Sequence, residues 1–514
     1  MYKFKNISKH LFFILFLIGY ITFSLLTYKD FGLTSDEFIE KKAAQGLNNY
    51  LSAPATPERM VERYHFSLEN TKGHHPLTTK YQRSYQAFQN VINRTDSYEI
   101  DHLINLLSGS FFFIIAYILF YIHYKSSLKA SIGLLFLFFT PRLIGDIPSN
   151  NKDVPFALMF LASLGAIYIT TKYKINNYLK VLILGILFGF TETFRAPGFT
   201  LYLVYILFYF IHAYQNSELN RRNTLNFLAE FVLVAVVSIP FSIIFFPWLG
   251  SNLISNMNEF LLNSQSFQNW DNKMFFEGQF LSKDQRPWYY LFTWIGITTP
   301  VVTLALLPIA VANIKKYFKN ELFLLSFLAL IINLVLYLTL QPVIYNALRH
   351  FLYILPCISI IAAIAFIDLI NTLNAKYKRV LIGLVVLNAV LITYFYVAMH
   401  PYQYIYFNEL IGGLKGAQGR YEMDYWGATY KEASQWLSNK EGISKEDYVT
   451  SCDAYTSVDY YDGDKFSMVT DGVEPNYSIC DYEGVLYRNN HNGLGTVVYE
   501  IKRMGVVLNS IKQF

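Results

Sequence analysis

The sequence contains little charge and little cysteine. Asp, Glu, Lys and Arg make up 15% of its 514 residues, whereas hydrophobic residues make up 53%. Soluble domains carry about a quarter charged residues, so this composition excludes an ordinary soluble protein. Three cysteines exclude a disulfide framework and a Cys-rich metal site. Lys and Arg are spread over short loops instead of being gathered on one face, which excludes a nucleic-acid-binding protein.

Apolar runs recur along the first four fifths of the chain. Several are about 17–22 residues long, enough to cross roughly 30 Å of hydrocarbon at 1.5 Å per residue. We therefore predict a polytopic α-helical membrane protein with about eleven transmembrane helices. The runs lie near 9–28, 102–122, 130–145, 154–171, 179–195, 199–213, 226–247, 288–311, 321–340, 350–370 and 380–399.

The first run has two interpretations, a cleaved signal peptide or a retained anchor. A signal peptide has a short apolar core that is followed by a small-residue cleavage site. The run 9–28 is longer than such a core, and no small-residue site follows it. We therefore predict a retained anchor.

Basic residues mark every second loop between the runs. Under the positive-inside rule these loops are cytoplasmic. The sequence thus predicts a multi-pass protein of the cytoplasmic (inner) membrane, with a cytoplasmic N-terminus and an extracytoplasmic C-terminal part. The basic residues are Lys3, Lys5 and Lys9 before the first run, and then Lys125, Lys129, Lys172, Lys174, Lys180, Arg221, Arg222, Lys315, Lys316, Lys319, Lys376, Lys378 and Arg379.

Three segments on the opposite side are long, namely 29–101, 248–287 and 400–514. In the first, Phe38, Ala43, Leu47 and Leu51 recur at helical spacing, which predicts amphipathic helices on the membrane surface. In the second, aromatic residues such as Trp270 stand among polar ones, as is typical of an interfacial loop.

We expect residues 1–399 to form a transmembrane domain and residues 400–514 to form a small extracytoplasmic α/β domain. The pattern of the second part predicts one helix followed by short strands. These elements are expected near 428–438 for the helix and 447–451, 477–481, 484–488 and 496–502 for the strands.

The pair Asp36-Glu37 lies a few residues past the first apolar run. Paired carboxylates at a membrane surface can serve as a general base, with one ionised while the pKa of its neighbour rises. The alternative is helix capping, because Thr34 or Ser35 followed by acidic residues is ordinary helix-start chemistry.

A second candidate lies in the same long segment, in the run from His74 and His75 to Lys80. Two imidazoles and an ammonium can hold a phosphate, and the alternative is a solvated loop before a helix. Two histidines alone are a weak metal signal.

Further ionisable residues stand at the ends of apolar runs on the predicted outer side. Arg142 and Asp153 flank the loop between the third and fourth runs, and Arg195 lies between the fifth and sixth. Arg349 and His350 open the tenth run. Charge next to hydrocarbon is costly and usually functional. Arginine suits phosphate oxygens because its planar fork donates parallel, charge-assisted hydrogen bonds. Capping remains an alternative for Asp153, and snorkelling for a single arginine.

Two of the cysteines, Cys452 and Cys480, lie in the predicted outer domain. An oxidising compartment permits a disulfide between them, and free thiols are the alternative.

These motifs, taken in order, resemble the GT-C superfamily of membrane glycosyltransferases, especially the branch of protein O-mannosyltransferases and lipid A aminoarabinose transferases. The resemblance rests on an acidic pair after the first span, a His-Pro-Leu segment in the first outer loop and an acidic residue in the second. An aromatic-to-proline span and an Arg-led late span ending in proline complete it. The matching residues are Asp36-Glu37, His75-Pro76-Leu77, Asp153, Trp288 to Pro300 and Arg349 to Pro356.

The resemblance implies an inverting glycosyltransferase that takes a sugar from a polyprenyl-phosphate carrier on the outer leaflet. Asp36 would accept the proton of a hydroxyl acceptor, with Glu37 as the substitute. Arg349, Lys80, His75 and Arg195 would bind the leaving phosphate, with His74, Arg142 and His350 as further candidates. Asp153 would orient a substrate or hold a divalent cation. The implied partners are the lipid-linked donor, membrane lipids and an acceptor that is a protein, a lipid or a glycan.

Two other functions remain open at this point. A transporter or flippase of a lipid-linked or anionic substrate would place charges near the bilayer midplane, in broken helices of paired halves. A non-catalytic envelope assembly protein would use its charged loops only to bind partners. A pocket that joins Asp36, Asp153 and Arg349 would favour the enzyme.

Overall fold

The computed structural model describes residues 8–38, 98–173, 175–245, 249–250, 252–265, 273–469, 473–488 and 495–514. His74, His75, Lys80 and Trp270 lie outside these ranges, as do Ala43, Leu47 and Leu51, three of the four residues on which the amphipathic helices were predicted.

The described part is mainly helical, and every apolar run of the sequence forms at least one helix. Seven helices are long and apolar enough to cross a bilayer, or eight if a bent pair counts as one span. The chain is therefore a polytopic α-helical membrane protein, and the number of eleven spans stays a prediction. The helices of the apolar runs are Leu11–Thr27, Tyr98–Tyr124, Ser127–Phe138 with Pro141–Asp146, Asp153–Lys172, Asn177–Glu192, Thr200–Gln215, Arg221–Phe245, Tyr290–Thr298 with Val301–Ala312, Glu321–Leu340, Leu355–Thr372 and Ala375–Ala398.

Two runs that were expected to be single helices are broken. Between Tyr290–Thr298 and Val301–Ala312 the chain bends by 117°. The cause is Pro300, which lacks an N–H and holds the preceding Thr299 in an extended conformation at φ −94°, ψ 137°. The third run breaks before Pro141, which opens the short helix Pro141–Asp146.

The helices differ in how much of their surface the protein covers. The span Arg349–Thr372 is almost wholly surrounded by other helices, whereas Ala375–Ala398 exposes most of its apolar side chains, Val386, Leu387 and Val390 among them. A helix that is apolar all round belongs in a core or in lipid. The span Arg349–Thr372 is therefore central in the bundle, and the helix Ala375–Ala398 faces the hydrocarbon.

Loops that the charge pattern assigns to one side contact one another. Lys172 Nζ lies 3.1 Å from Glu321 Oε2, and Lys125 Nζ donates to Tyr173 at 3.0 Å. These contacts join the loops after the second, fourth and eighth runs at one end of the bundle. The alternation of sides therefore fits the structure, while the side that faces the cytoplasm stays a prediction.

Residues 400–514 include a small α/β domain at the other end. Its strands are β3 (Tyr448–Ser451), β4 (Ser467–Met468), β5 (Tyr477–Asp481), β6 (Thr496–Arg503) and β7 (Val506–Gln513). The sheet has the order β4-β3-β5-β7-β6, in which β3 pairs parallel with β4 and β5, and β7 pairs antiparallel with β5 and β6. A separate hairpin in the segment 248–287 consists of β1 (Met274–Phe276) and β2 (Gln279–Leu281).

The predicted elements of this domain are confirmed with one exception. The helix is Tyr430–Ser438, and three of the four expected strands are β3, β5 and β6. The expected strand at 484–488 is wrong, since it belongs to the helix Tyr482–Arg488, and a short apolar run has no period that separates the two. The disulfide joins Cys452, just after β3, to Cys480 in β5, with Cα atoms 4.9 Å apart.

Candidate functional site

Asp36 forms an ion pair with Arg349, a residue more than three hundred positions later. Arg349 Nη1 donates to Asp36 Oδ2 at 2.5 Å. The Asp36 side chain is 42% exposed, whereas that of Arg349 is only 3% exposed. A half-open carboxylate thus lies over a buried guanidinium, at the end of the bundle that carries the sheet domain.

The charges around Asp36 set its protonation state. Burial raises the pKa of Asp36, but the positive charges of Arg349, Lys152 and Arg195 outweigh it and hold the pKa below its usual value. The carboxylate is therefore ionised at neutral pH and can accept a proton.

Arg349 is fixed by aromatic rings on two sides. Its guanidinium carbon lies 4.8 Å from the centre of the Tyr345 ring and 5.4 Å from that of Trp426. Such cation–π contacts stabilise a buried guanidinium and restrict its rotation. The side chain is held in one orientation before any ligand arrives.

The loop before Arg349 has a strained backbone. Gln341, Asn346 and Ala347 all have positive φ angles, of 43°, 55° and 61°, although none is glycine. Non-glycine residues keep such angles only where their surroundings enforce them, and this happens often at functional sites. Here Arg286 Nη1 donates to the Pro342 carbonyl at 2.6 Å, and Ala347 N–H donates to the Tyr290 hydroxyl at 3.2 Å.

A second ion pair joins Asp153 to Arg195. Asp153 opens the helix Asp153–Lys172, yet the capping contact comes from Asn150, whose Oδ1 accepts from the Asp153 N–H at 2.7 Å. Asn150 Nδ2 in turn donates to Asp153 Oδ2 at 3.2 Å, so this exchange at the helix start engages one carboxylate oxygen and leaves Oδ1 to Arg195. The Asp153 carboxylate is buried beside Arg195.

The two ion pairs belong to one cluster. The charge of Arg195 reaches Asp36, and that of Asp153 reaches Arg349. Arg195, Arg349 and Lys152 also act on His350, which is buried and packs edge-on against Tyr345 at 4.7 Å. Carboxylates and cations from four separate loops therefore meet in one place, which we name the Asp36–Arg349 cluster. Its members are Asp36, Lys152, Asp153, Arg195, Arg349 and His350.

Glu37, the other carboxylate of the acidic pair, has a different environment. It is 1% exposed, and its Oε2 accepts from the Thr34 N–H at 2.8 Å and from the Thr34 hydroxyl at 2.9 Å. His102 Nε2 bonds to Oε1 at 2.9 Å. For Glu37 the capping alternative fits the structure, and only Asp36 of the pair contacts another predicted site residue.

The Glu37→Ala variant is expected to be less stable than the wild type, because Glu37 has a structural role and not a direct role in the reaction. It leaves the Thr34 N–H, the Thr34 hydroxyl and His102 buried without their acceptor, at a cost of about 3 kcal/mol. Thermal unfolding of the purified protein in detergent measures this as a lower midpoint, with the exposed Glu441→Ala as the unchanged control. An unaltered midpoint combined with lost activity would instead return Glu37 to a direct role in the reaction.

Arg142, a predicted phosphate ligand, is buried at the junction with residues 400–430. Its Nη1 donates to the Tyr404 carbonyl, and its guanidinium lies 5.5 Å from the Trp294 ring and 5.0 Å from the Tyr425 ring. Its side chain has no exposed surface. We therefore leave Arg142 out of the cluster, because these contacts connect it to the packing of the sheet domain on the helices.

Sequence reasoning assigned no catalytic or phosphate-binding role to three residues of the surroundings, namely Lys152, Arg286 and Trp426. Lys152 adjoins Asp153, and Arg286 stands just before the aromatic start of the eighth run, so their positions beside other candidates were a usable signal. Trp426 stands in the run Asp424-Tyr425-Trp426-Gly427, but nothing in that run points to Arg349.

A divalent cation was left open for Asp153. Within the described ranges, no group of three His, Cys, Asp or Glu side chains is arranged to hold a metal ion. Asp36 and Asp153 are each paired with an arginine instead.

Comparison with known proteins finds similarity among solved structures. No family model and no curated protein matches the chain. ArnT from Cupriavidus metallidurans bound to undecaprenyl phosphate is 10% identical, with a TM-score of 0.48 and 97% of each chain covered. The oligosaccharyltransferase AglB from Archaeoglobus fulgidus, in complex with an inhibitory peptide and a dolichol-phosphate, is 11% identical, with a TM-score of 0.41. That match covers 76% of this chain and 60% of AglB.

Both matches are likenesses of fold. At these identities and TM-scores, no residue role is carried over to this chain.

Proposed function

We propose that this chain is an inverting glycosyltransferase that moves a sugar from a polyprenyl-phosphate carrier to a hydroxyl acceptor. The reaction would take place at the outer face of the cytoplasmic membrane, with the N-terminus in the cytoplasm. The observation that carries the proposal is the Asp36–Arg349 cluster, in which an ionised carboxylate and several cations converge at one end of the helix bundle.

The proposed reaction forms one bond and breaks one. The acceptor oxygen attacks the anomeric carbon while Asp36 takes the hydroxyl proton. The bond from the anomeric carbon to the phosphate oxygen breaks on the opposite side, and its electron pair leaves with the lipid phosphate. Attack from the side opposite the leaving group inverts the anomeric centre.

The leaving phosphate gains negative charge as its bond breaks, so fixed cations lower the barrier. Arg349 is fully placed for this before the reaction, because Tyr345 and Trp426 hold its guanidinium. Arg195 and Lys152 add further positive charge near Asp36. His74, His75 and Lys80 remain predicted phosphate ligands in the segment outside the described residues.

The transferase and the transporter make different demands on the cluster. A transporter needs a site at the midplane that opens to both sides in turn. The paired charges lie instead at helix ends: Asp153 begins its helix, Arg195 follows Glu192 at the end of another, and Arg349 precedes Leu355–Thr372. This placement supports chemistry at one surface.

The test uses the purified full chain with polyprenyl-phosphate sugars labelled in the sugar. We expect the label to pass to an acceptor, with one equivalent of sugar-free polyprenyl phosphate released per turnover, and no turnover with a nucleotide sugar. Intact donor that crosses a proteoliposome without cleavage would support the transporter and contradict the proposal.

A further inference from the structure

The residues that lead to Asp36 are held at several positions by the part of the protein that follows the last span. We name residues 29–36 the Asp36 segment. Ser35 N–H donates to the Trp426 carbonyl at 3.2 Å, and Leu33 N–H donates to the Tyr461 hydroxyl at 3.2 Å. Asp30 pairs with His400 at 2.8 Å. The segment has no helix or strand of its own before residue 35, so these contacts decide where Asp36 lies.

Lys431 supplies two charge-assisted contacts to the segment. It lies in the first turn of the helix Tyr430–Ser438, and its Nζ donates to the carbonyls of Lys29 and of Phe31, the latter at 3.1 Å. Charge-assisted hydrogen bonds of this kind are roughly twice as strong as neutral ones. Burial lowers the pKa of Lys431, which the charges of Glu99 and Asp30 partly offset. A buried ammonium thus ties two backbone carbonyls of the segment to the sheet domain.

The fit around the segment is close. A Cβ at Gly32 would overlap the carbonyl of Ala428, which precedes Lys431 by three residues. Phe31, Leu33 and Thr34 are buried as well. The segment therefore cannot move away from the sheet domain without breaking the contacts of Lys431. It cannot move closer to that domain, because the carbonyl of Ala428 blocks it.

Trp426 connects this attachment to the other half of the cluster. Its backbone carbonyl accepts from Ser35, while its ring lies against the guanidinium of Arg349. One residue of the C-terminal domain therefore contacts both the neighbour of the proposed base and the proposed phosphate ligand.

We propose that the C-terminal domain completes the catalytic site, and that Lys431 is a positioning residue that holds Asp36 beside Arg349. This inference rests on the proposed function. It differs from a role in general stability because it specifies which step suffers. Without Lys431 the segment loses its anchor and Asp36 moves, whereas Arg349, Arg195 and Lys152 stay on their own elements.

The experiment compares the full-length variants Lys431→Met and Lys431→Arg with the wild type. For Lys431→Met we expect kcat to fall at least about tenfold, with binding of sugar-free polyprenyl phosphate unchanged within about twofold. The acid limb of the pH–rate profile should move to higher pH, because an Asp36 that leaves its cations regains a higher pKa. Lys431→Arg keeps the charge and the donors and should restore a large part of kcat. The control is Lys445→Met, which removes an exposed lysine of the same domain that pairs with Asp464.

The outcomes separate the inference from the function on which it rests. Full kcat in Lys431→Met overturns the inference, as does an equal loss of phosphate binding and kcat, which would indicate general damage. If Asp36→Asn is also fully active, Asp36 is not the base and the inference fails with it, whereas the proposed function fails only if the wild type transfers no sugar from the polyprenyl-phosphate donor. Should Lys431→Met not fold, Tyr461→Phe decides, since it removes only the hydroxyl that Leu33 N–H contacts. An unchanged kcat in that variant counts against the inference.

Discussion

The Asp36→Asn variant is expected to transfer sugar roughly a hundredfold more slowly than the wild type, or slower still. An amide cannot accept the proton of the acceptor hydroxyl, so the nucleophile stays protonated as it approaches the anomeric carbon. Asparagine is nearly isosteric with aspartate, and its carbonyl can still accept from Arg349. The loss should therefore fall on kcat and leave the fold in place.

Donor binding should not weaken in Asp36→Asn. In the wild type, a lipid phosphate has to share Arg349 with the Asp36 carboxylate. Removing that negative charge leaves the cations of the cluster to the phosphate alone. Titration with sugar-free polyprenyl phosphate should give an affinity equal to or higher than that of the wild type.

The matched control is Asp464→Asn, a carboxylate of the sheet domain whose side chain is 93% exposed. It should leave both kcat and phosphate affinity unchanged. Turnover of Asp36→Asn at the wild-type rate would remove Asp36 from its role as base.

Much of the topology was predictable because the bilayer imposes strong rules on a sequence. Apolar length gives the helices, and the basic residues of alternate loops group them by side. The contact of Lys172 with Glu321 joins two loops that the charge pattern had placed together. The same grouping put Asp36, Asp153, Arg195 and Arg349 on one side, so their convergence was predictable as a tendency.

The roles of neighbouring residues were not predictable, because they depend on side-chain direction. Asp36 and Glu37 are adjacent in the chain, yet one meets Arg349 and the other meets Thr34 and His102. The capping interpretation fits Glu37, whereas Asp36 forms an ion pair and its role as a base stays a prediction. Helix capping and an ion pair use the same residue types, and only the local turn decides between them.

The contribution of the C-terminal part was beyond sequence reasoning for another reason. Lys431 lies about four hundred positions from the carbonyls that it contacts, and backbone carbonyls leave no trace in the side-chain pattern. Strand β7 was not predicted, although the sequence contains a signal for it. Met504-Gly505 precedes it as a two-residue turn between β6 and β7.

The Arg349→Gln variant should lose about a hundredfold to a thousandfold in kcat/KM, the range seen when one fixed donor to a developing negative charge is removed. Gln keeps a hydrogen-bond donor but not the charge that balances the leaving phosphate. Arg349→Lys keeps the charge without the planar fork, and its kcat/KM should lie between those of the wild type and Arg349→Gln. Sugar-free polyprenyl phosphate should bind more weakly to Arg349→Gln, in contrast to its behaviour with Asp36→Asn. The control is Arg420→Gln, which changes an exposed arginine whose backbone carbonyl accepts from the Gly278 N–H in the turn between β1 and β2.

The pH–rate profile gives Arg349→Gln a second, independent readout. Asp36 works as a base only when ionised, so activity is lost as the pH falls through its pKa. In the wild type, Arg349 contributes the largest of the charge effects that lower this pKa against the opposing effect of burial. Without Arg349 the pKa of Asp36 rises, and the acid limb of the residual activity should move to higher pH. An acid limb that stays in place would mean that the titrating base is a group other than Asp36, whose pKa depends on Arg349.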